Sequence, residues 1–207
     1  MGKVLLVDDH PLFRQALQAV VTQAHPNLQI VEAQNLAEAR AILGRERDII
    51  LVLLDLKMPD CGGFAGLVTL RADYPQAPIV IVSANEEPET INKSITFGAV
   101  GFIPKSSANS KIVEALSEIL AGEIWVPEVL PAEDVPASVQ SIASLSPPQL
   151  KILLGLKRGL LNKQIANEIG ITEATVKSHM TIMFRKMGVS NRTQAVIAAG
   201  ALEDKSH

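Results

Sequence analysis

Aromatic side chains make up only 3% of this 207-residue chain, so few platforms exist for stacking single-stranded bases, which disfavours single-strand binding. Cysteine is nearly absent. The lone Cys61 cannot form an internal disulfide, and no Cys/His cluster has zinc-ligand spacing. The amino terminus lacks the apolar core of a signal peptide, so a cytoplasmic location is expected. Long hydrophobic runs are missing as well. The longest aliphatic stretch, Ile49 to Leu54, is stopped by Asp55 and is far too short to cross a bilayer, so no membrane span is expected. Repeats and low-complexity tracts are absent too.

What is present is ordinary in amount and uneven in distribution. An apolar content of 47% with 20% charged residues suits a folded domain, and 207 residues are enough for two modest ones. Residues 1–144 carry 10 Lys/Arg against 18 Asp/Glu, a net −8, whereas 145–207 carry 9 against 4, a net +5. The basic carboxy-terminal third is suited to a polyanion, although such a run is often only a solvated face. The acidic part is expected to mask it.

Aliphatic runs at Val4–Val7, Leu28–Val31, Ile49–Leu54 and Ile79–Val82, with a short fifth at Gly101–Ile103, predict strands buried on both faces. Between and after them, helical spacing runs over Leu12–Thr22, Leu36–Leu43, Phe64–Tyr74, Glu89–Phe97 and Ile112–Ala121. Strand then helix, five times, predicts an α/β, doubly wound five-stranded parallel sheet with right-handed crossovers. The pattern covers residues 1–122. Pro127, Pro131 and Pro136, with Glu123, Glu128, Glu133 and Asp134, then mark a linker over 123–144. A smaller all-α domain is expected over 145–207. It opens on Ser146-Pro147-Pro148-Gln149, an N-cap serine, a proline at the first helical position and a glutamine that closes a capping box.

In a parallel sheet, functional groups collect beyond the carboxyl ends of the strands. Asp8 and Asp9 end the first predicted strand, Asp55 the third and Ser83 the fourth, and Lys105 lies just past the fifth. Three carboxylates drawn together repel one another unless they share a cation, and hard oxygen donors suit Mg2+. Asp55 is central and is the expected nucleophile toward a phosphoryl donor, with Asp8 and Asp9 holding the ion. Lys105 would neutralise the charge building on the phosphoryl oxygens, and the Ser83 hydroxyl would donate to one of them.

The all-α region predicts a helix over Asn162–Ile169, a turn at Gly170, a helix from Thr172 or Glu173 to Met187-Gly188, and another over Asn191–Ala199. Helix, tight turn and helix form the unit that lays a second helix into the major groove of duplex DNA. Val176, Met180, Met183 and Met187 form its buried stripe. Lys177, Thr181 and Arg185, with Ser178, lie on another face. Lys177, Ser178 and Thr181 are the candidates for base edges, Arg185 and Lys186 for phosphate, and Lys163, Thr172, Thr175 and Arg192 for further backbone contacts.

Val7-Asp8-Asp9-His10-Pro11, Leu54-Asp55-Leu56-Lys57-Met58-Pro59, Val82-Ser83-Ala84 and Phe102-Ile103-Pro104-Lys105 resemble the flavodoxin-like receiver domain of two-component response regulators. Leu145-Ser146-Pro147, Asn162-Lys163-Gln164-Ile165-Ala166, Thr175-Val176-Lys177-Ser178-His179 and Gly188-Val189-Ser190-Asn191-Arg192-Thr193 resemble a LuxR-type DNA-binding domain. Together they are similar to the LuxR/NarL (NarL/FixJ) class. The resemblance implies phosphorylation of Asp55 by a histidine kinase and Mg2+ held by Asp8, Asp9, Asp55 and the backbone carbonyl of Lys57. It also implies a switch pair, Ser83 and Phe102, and a homodimer on double-stranded DNA once phosphorylated. Gly62, Pro104 and Pro148-Gln149 depart from the usual pattern. Lys57 and Asn85 stand where side chains flank a phosphoryl group. A phosphotransferase or phosphatase acting on outside substrates is the competing reading, disfavoured because no inserted cap or lid segment is present; only self-directed phosphoryl transfer and hydrolysis is expected.

Overall fold

In the computed structural model, residues 2–59, 61–127 and 135–203 are described. The chain runs β1 (Lys3–Val7), α1 (Pro11–Ala24), β2 (Gln29–Ala33), α2 (Leu36–Arg45) and β3 (Ile49–Asp55). A two-residue hairpin, β4 (Lys57–Met58) and β5 (Cys61–Gly62), follows at once. The alternation then resumes with α3 (Ala65–Asp73), β6 (Ile79–Ser83), α4 (Pro88–Thr96), β7 (Gly101–Pro104) and α5 (Asn109–Leu120). The five long strands form one parallel sheet in the order β2-β1-β3-β6-β7. Strand order reverses between β1 and β3, which opens a crevice at their carboxyl ends.

The aliphatic runs become strands because both faces are covered. Leu5, Val7, Val52 and Leu54 pack with residues of α2, α3 and α4, while their neighbours Val4, Leu6, Leu51 and Leu53 pack with α1 and α5. At the sheet edge, Pro104 removes a backbone donor from β7, the last strand in the order, where the cost is small.

The all-α part holds α6 (Ala137–Ala143), α7 (Pro147–Lys157), α8 (Asn162–Ile169), α9 (Glu173–Met187) and α10 (Arg192–Ala198), closed by a 3-10 turn at Ala199–Leu202. The capping box forms as expected, with the Ser146 N–H donating to Gln149 Oε1 at 3.0 Å. Gly170 (φ 73) and Gly188 (φ 65) end α8 and α9 in the left-handed conformation that glycine adopts without penalty. Among the described residues, no helix is long and apolar enough to cross a membrane.

The linker over 123–144 is packed against the fold at both of its described ends. Trp125 runs beside β7, its carbonyl accepting the Phe102 N–H at 3.0 Å, so this end is pinned to the sheet. The far end is α6, whose Val139 and Ile142 are buried at helical spacing. Glu128, Pro131, Glu133 and Asp134 lie outside the described residues, as do 204–207 at the end of the all-α domain.

The two parts are docked: α3 packs on α7 and α4 on α6. One buried cluster runs across the junction, the Phe64 N–H donates to the Leu202 carbonyl at 2.8 Å, and Lys151 pairs with Asp73 at 3.0 Å. Masking of the basic surface is not what this arrangement does. Lys177, Ser178, Thr181 and Arg185 on the outer face of α9 are exposed, because the all-α part meets the acidic domain through α6, α7 and the carboxy-terminal turn.

Phe64 is wholly buried at this junction, its ring centroid 5.4 Å from that of Phe97. Phe64→Ala leaves the backbone bond to Leu202 in place and removes only the ring. It is expected to lower the free energy of unfolding by about 3–5 kcal/mol in a urea titration.

Candidate functional site

The crevice between β1 and β3 gathers the residues singled out at the strand ends. Val7 ends β1, and the Asp8 N–H still donates to Ala33 of β2 at 3.2 Å, so the chain leaves the sheet with the Asp8 side chain directed at its neighbours. Asp55 ends β3 beside Val82 of β6. The Lys105 N–H donates to the Ser83 carbonyl at 2.8 Å, which sets the start of the lysine's reach.

From there the Lys105 ammonium donates to Asp8 Oδ2 at 2.6 Å and to Asp55 Oδ2 at 2.8 Å. The side chains of Asp8 and Asp55 are 6% and 1% exposed, so they meet in a poorly solvated place where like charges would repel strongly without that cation. Asp55 Oδ1 accepts the backbone N–H of Lys57 at 3.1 Å. Asp9 is more open, yet its Oδ1 atom is buried and has no hydrogen-bond partner; His10 Nδ1 lies 3.0 Å away without hydrogen-bond alignment. An orphaned carboxylate oxygen beside two paired ones suits a cation. The oxygen donors available, with the Lys57 carbonyl close by in sequence, fit Mg2+.

Ser83 and Phe102 are both fully buried. Ser83 Oγ accepts the Asn85 N–H at 3.1 Å and keeps its own proton to donate. Phe102 pairs in register with Ile81, on the face shared with α3 and α4. Asn85, two residues past Ser83, is bonded to it through its backbone N–H. It is buried, its Nδ2 donating to Thr90 Oγ1 at 2.7 Å and its Oδ1 accepting the Glu87 N–H at 3.1 Å, so it organises the entry to α4.

Three residues of the site escape a reading by strand ends. Arg14 is buried in α1, where its guanidinium donates to the Asp8 carbonyl at 2.6 Å and to Glu32 Oε2 at 2.9 Å, bracing the turn that carries Asp8 and Asp9. A charged residue on the apolar face of α1, three before Leu17, was its available signal. The Phe13 ring lies 4.6 Å from the Lys105 ammonium, a cation–π contact with no local sequence signal. His10 follows the two aspartates directly, and its Nδ1 stands within 3.9 Å of oxygens from all three carboxylates.

The second candidate site lies on the helix-turn-helix. Thr172 caps α9, its Oγ1 accepting the Thr175 N–H at 3.1 Å, and the two hydroxyls lie 2.8 Å apart. Val176, Met183 and Met187 are buried and Met180 half-buried, which turns the Lys177 face outward. Lys177 is paired with Glu173 at 3.0 Å, while the Ser178 and Thr181 hydroxyls donate to Ala174 and Lys177 carbonyls one turn back, both at 3.1 Å. Lys163 and Arg185 are exposed. Two expected phosphate contacts are otherwise engaged. Lys186 donates to the Ser144 carbonyl at 2.9 Å, and Arg192 to the Leu160 carbonyl at 2.6 Å, closing the turn before α8. Each carbonyl ends a helix or turn and needs a donor; Lys186 itself stays exposed and Arg192 is half-buried.

Comparison with known proteins bears on both sites. Residues 4–117 match the response regulator receiver domain, and residues 143–199 match the bacterial regulatory proteins of the luxR family. The chain is 38% identical over 214 residues to the glycerol metabolism activator of Pseudomonas putida, covering 98% of this chain and 97% of that protein. It is 31% identical over 202 residues to the nitrate/nitrite response regulator protein NarL of Escherichia coli (strain K12), covering 94% and 93%. Among solved structures, RcsB of Salmonella enterica serovar Typhimurium bound to a promoter matches with a TM-score of 0.58 at 20% identity over 97% of this chain and 98% of that one, a likeness of fold alone. A LuxR family DNA-binding response regulator from Silicibacter pomeroyi matches with a TM-score of 0.55 at 33% identity, over 62% of this chain and 98% of that one. With a carboxylate crevice in one half and an exposed recognition helix in the other, this chain belongs to the LuxR/NarL class of response regulators, the two-component transcription regulators that bind DNA.

Proposed function

We propose that Asp55 accepts a phosphoryl group from the phosphohistidine of a histidine kinase, and that its occupancy governs binding of duplex DNA by the outer face of α9. The observation that carries this reading is the Lys105 ammonium held between Asp8 and Asp55, 2.6 and 2.8 Å away. An Asp55 carboxylate oxygen attacks phosphorus, the P–N bond of the donor breaks with its electron pair leaving on the imidazole, and an acyl phosphate remains. Lys105 then has a phosphoryl oxygen to pair with, and the Ser83 hydroxyl donates to another. Asp8, Asp9, Asp55 and the backbone carbonyl of Lys57 would hold Mg2+, which would supply further positive charge to the site. Hydrolysis of the acyl phosphate resets the site, and no outside substrate is turned over.

The change is carried outward through Ser83 and Phe102, and through the short path from Asp55 by β4 and β5 to Phe64 at the domain junction. RcsB has been solved as dimers bound to DNA. A homodimer of this chain, in the cytoplasm, would likewise present two α9 helices to two half-sites.

Incubation with acetyl phosphate and Mg2+ is expected to add one phosphoryl group to the wild type and none to Asp55→Asn, read by intact mass. The same treatment should tighten binding to a selected duplex by about tenfold or more in the wild type only. No modification of the wild type sinks the reading.

Lys105→Met is expected to lower stability by about 3–5 kcal/mol in chelator, since Asp8 and Asp55 then face each other without their cation. Added Mg2+ should restore part of that loss, measured by thermal unfolding.

Lys177→Ala is expected to weaken binding to the selected duplex by about 1–3 kcal/mol and to relax sequence preference. Lys163→Ala should instead weaken binding to all duplexes alike and make it less salt-dependent, as read by fluorescence anisotropy across a salt series.

A further inference from the structure

We infer that the cleft between the two docked parts binds a small molecule, an amphiphile with an aliphatic body and a single carboxylate. The cleft has a volume of about 770 Å3. Sites that take small organic ligands span roughly 300–1,000 Å3. One wall comes from α2 and α3, and the other from α7, α8 and the end of the carboxy-terminal turn. The inference does not depend on the reading of Asp55.

Short side chains leave the space. Ala65, Thr69 and Ala72, at helical spacing on α3, line the cleft where longer ones would fill it. Leu36 of α2, Leu154 of α7 and Ile169 of α8 also line it and are only half-buried, so each keeps apolar surface for a ligand to cover. Among the described residues no aromatic ring lines the cleft, which favours an aliphatic body over one that needs a stacking partner.

Charge decides the other end of the ligand. Arg40, Lys151, Lys157 and Arg158 line the cleft with Asp73, Glu168 and Glu203, four cations against three carboxylates. Glu168 pairs with Arg158 at 2.7 Å and Glu203 with Lys157 at 3.2 Å. The third carboxylate is shared. Asp73 Oδ2 accepts from Arg40 Nε at 2.7 Å, and Asp73 Oδ1 lies 3.0 Å from the Lys151 ammonium. One positive charge is therefore in surplus where Arg40 and Lys151 meet, and a guanidinium and an ammonium both carry more N–H donors than Asp73 takes. A ligand carboxylate placed there gains charge-assisted hydrogen bonds, while its chain lies along the apolar side chains.

With a wall from each part, the site exists only while the two are docked. A bound ligand holds the dock closed, and anything that parts the domains expels the ligand. The cleft thus gives the chain a chemical input of its own.

The test uses the full chain, labelled at leucine and isoleucine methyl groups, with sodium decanoate below its micelle concentration as the probe. Saturable shifts are expected at Leu36, Leu154 and Ile169, with nuclear Overhauser contacts from the decanoate chain to methyl groups of both domains. Decylammonium, with the same body and the opposite charge, should bind about tenfold or more weakly. Lys151→Gln removes the surplus charge and should weaken decanoate binding about fivefold to tenfold. Thr69→Phe fills the cleft with every charge in place and should abolish saturable binding. Because the wild-type spectra identify the site by themselves, a variant that fails to fold does not leave the question open. Shifts that do not saturate, or that saturate only at other methyl groups, overturn the site. Equal binding of decylammonium and decanoate, or undiminished binding by folded Lys151→Gln, overturns the assignment of a carboxylate ligand.

Discussion

Two carboxylates buried at the ends of adjacent strands repel each other, and the Lys105 ammonium between Asp8 and Asp55 is what makes their meeting tolerable. Its reach depends on the outer strands. β7 must lie beside β6 for the Lys105 N–H to hold the Ser83 carbonyl, and only then does the side chain extend back across the strand ends. The same ammonium lies over the Phe13 ring, so α1 is joined to the arrangement. One positive charge thus links β1, β3, the exit of β7 and the first turn of α1. A phosphoryl group on Asp55, as proposed, would change the partner of that charge for every element it touches.

The path from this crevice to the all-α part is short. Lys57, two residues after Asp55, donates to its side chain, and Phe64, after the β4–β5 hairpin, donates to Leu202 at the carboxy-terminal turn. The docked arrangement leaves the outer face of α9 exposed, so control by covering that face is not available to it. What the dock constrains is the placement of the whole helical part.

The basic charge of the carboxy-terminal third is also less available to DNA than its total implies. Lys151, Lys157 and Arg158 pair with Asp73, Glu203 and Glu168, and Lys186 and Arg192 satisfy carbonyls. Lys163 and Arg185 remain exposed on the outer surface with Lys177, whose partner Glu173 sits one turn back on the same helix. An exposed pair of that kind is weak and is readily exchanged for phosphate.

The alternation of buried strands and helices was legible in the sequence because a sheet covered on both faces demands continuous aliphatic runs, and Val4–Val7, Ile49–Leu54 and Ile79–Val82 have no other use. The carboxylates at strand ends followed from that alternation. Ser146, Gln149, Gly170 and Gly188 marked helix boundaries through hydrogen bonds and backbone angles that are local in the chain. The remaining features belong to the tertiary structure. The β4–β5 hairpin and α6 are too short for periodicity to reveal, and the hydrogen bonds of Lys186 and Arg192 depend on carbonyls 42 and 32 residues away. The Phe13 contact with Lys105 and the docking of α3 on α7 likewise join segments distant in sequence. Sequence alone determined which residues carry charge, burial and chain direction, because those are properties of each residue and its neighbours. Only the folded chain decided which charges meet, because that is a matter of distance in space.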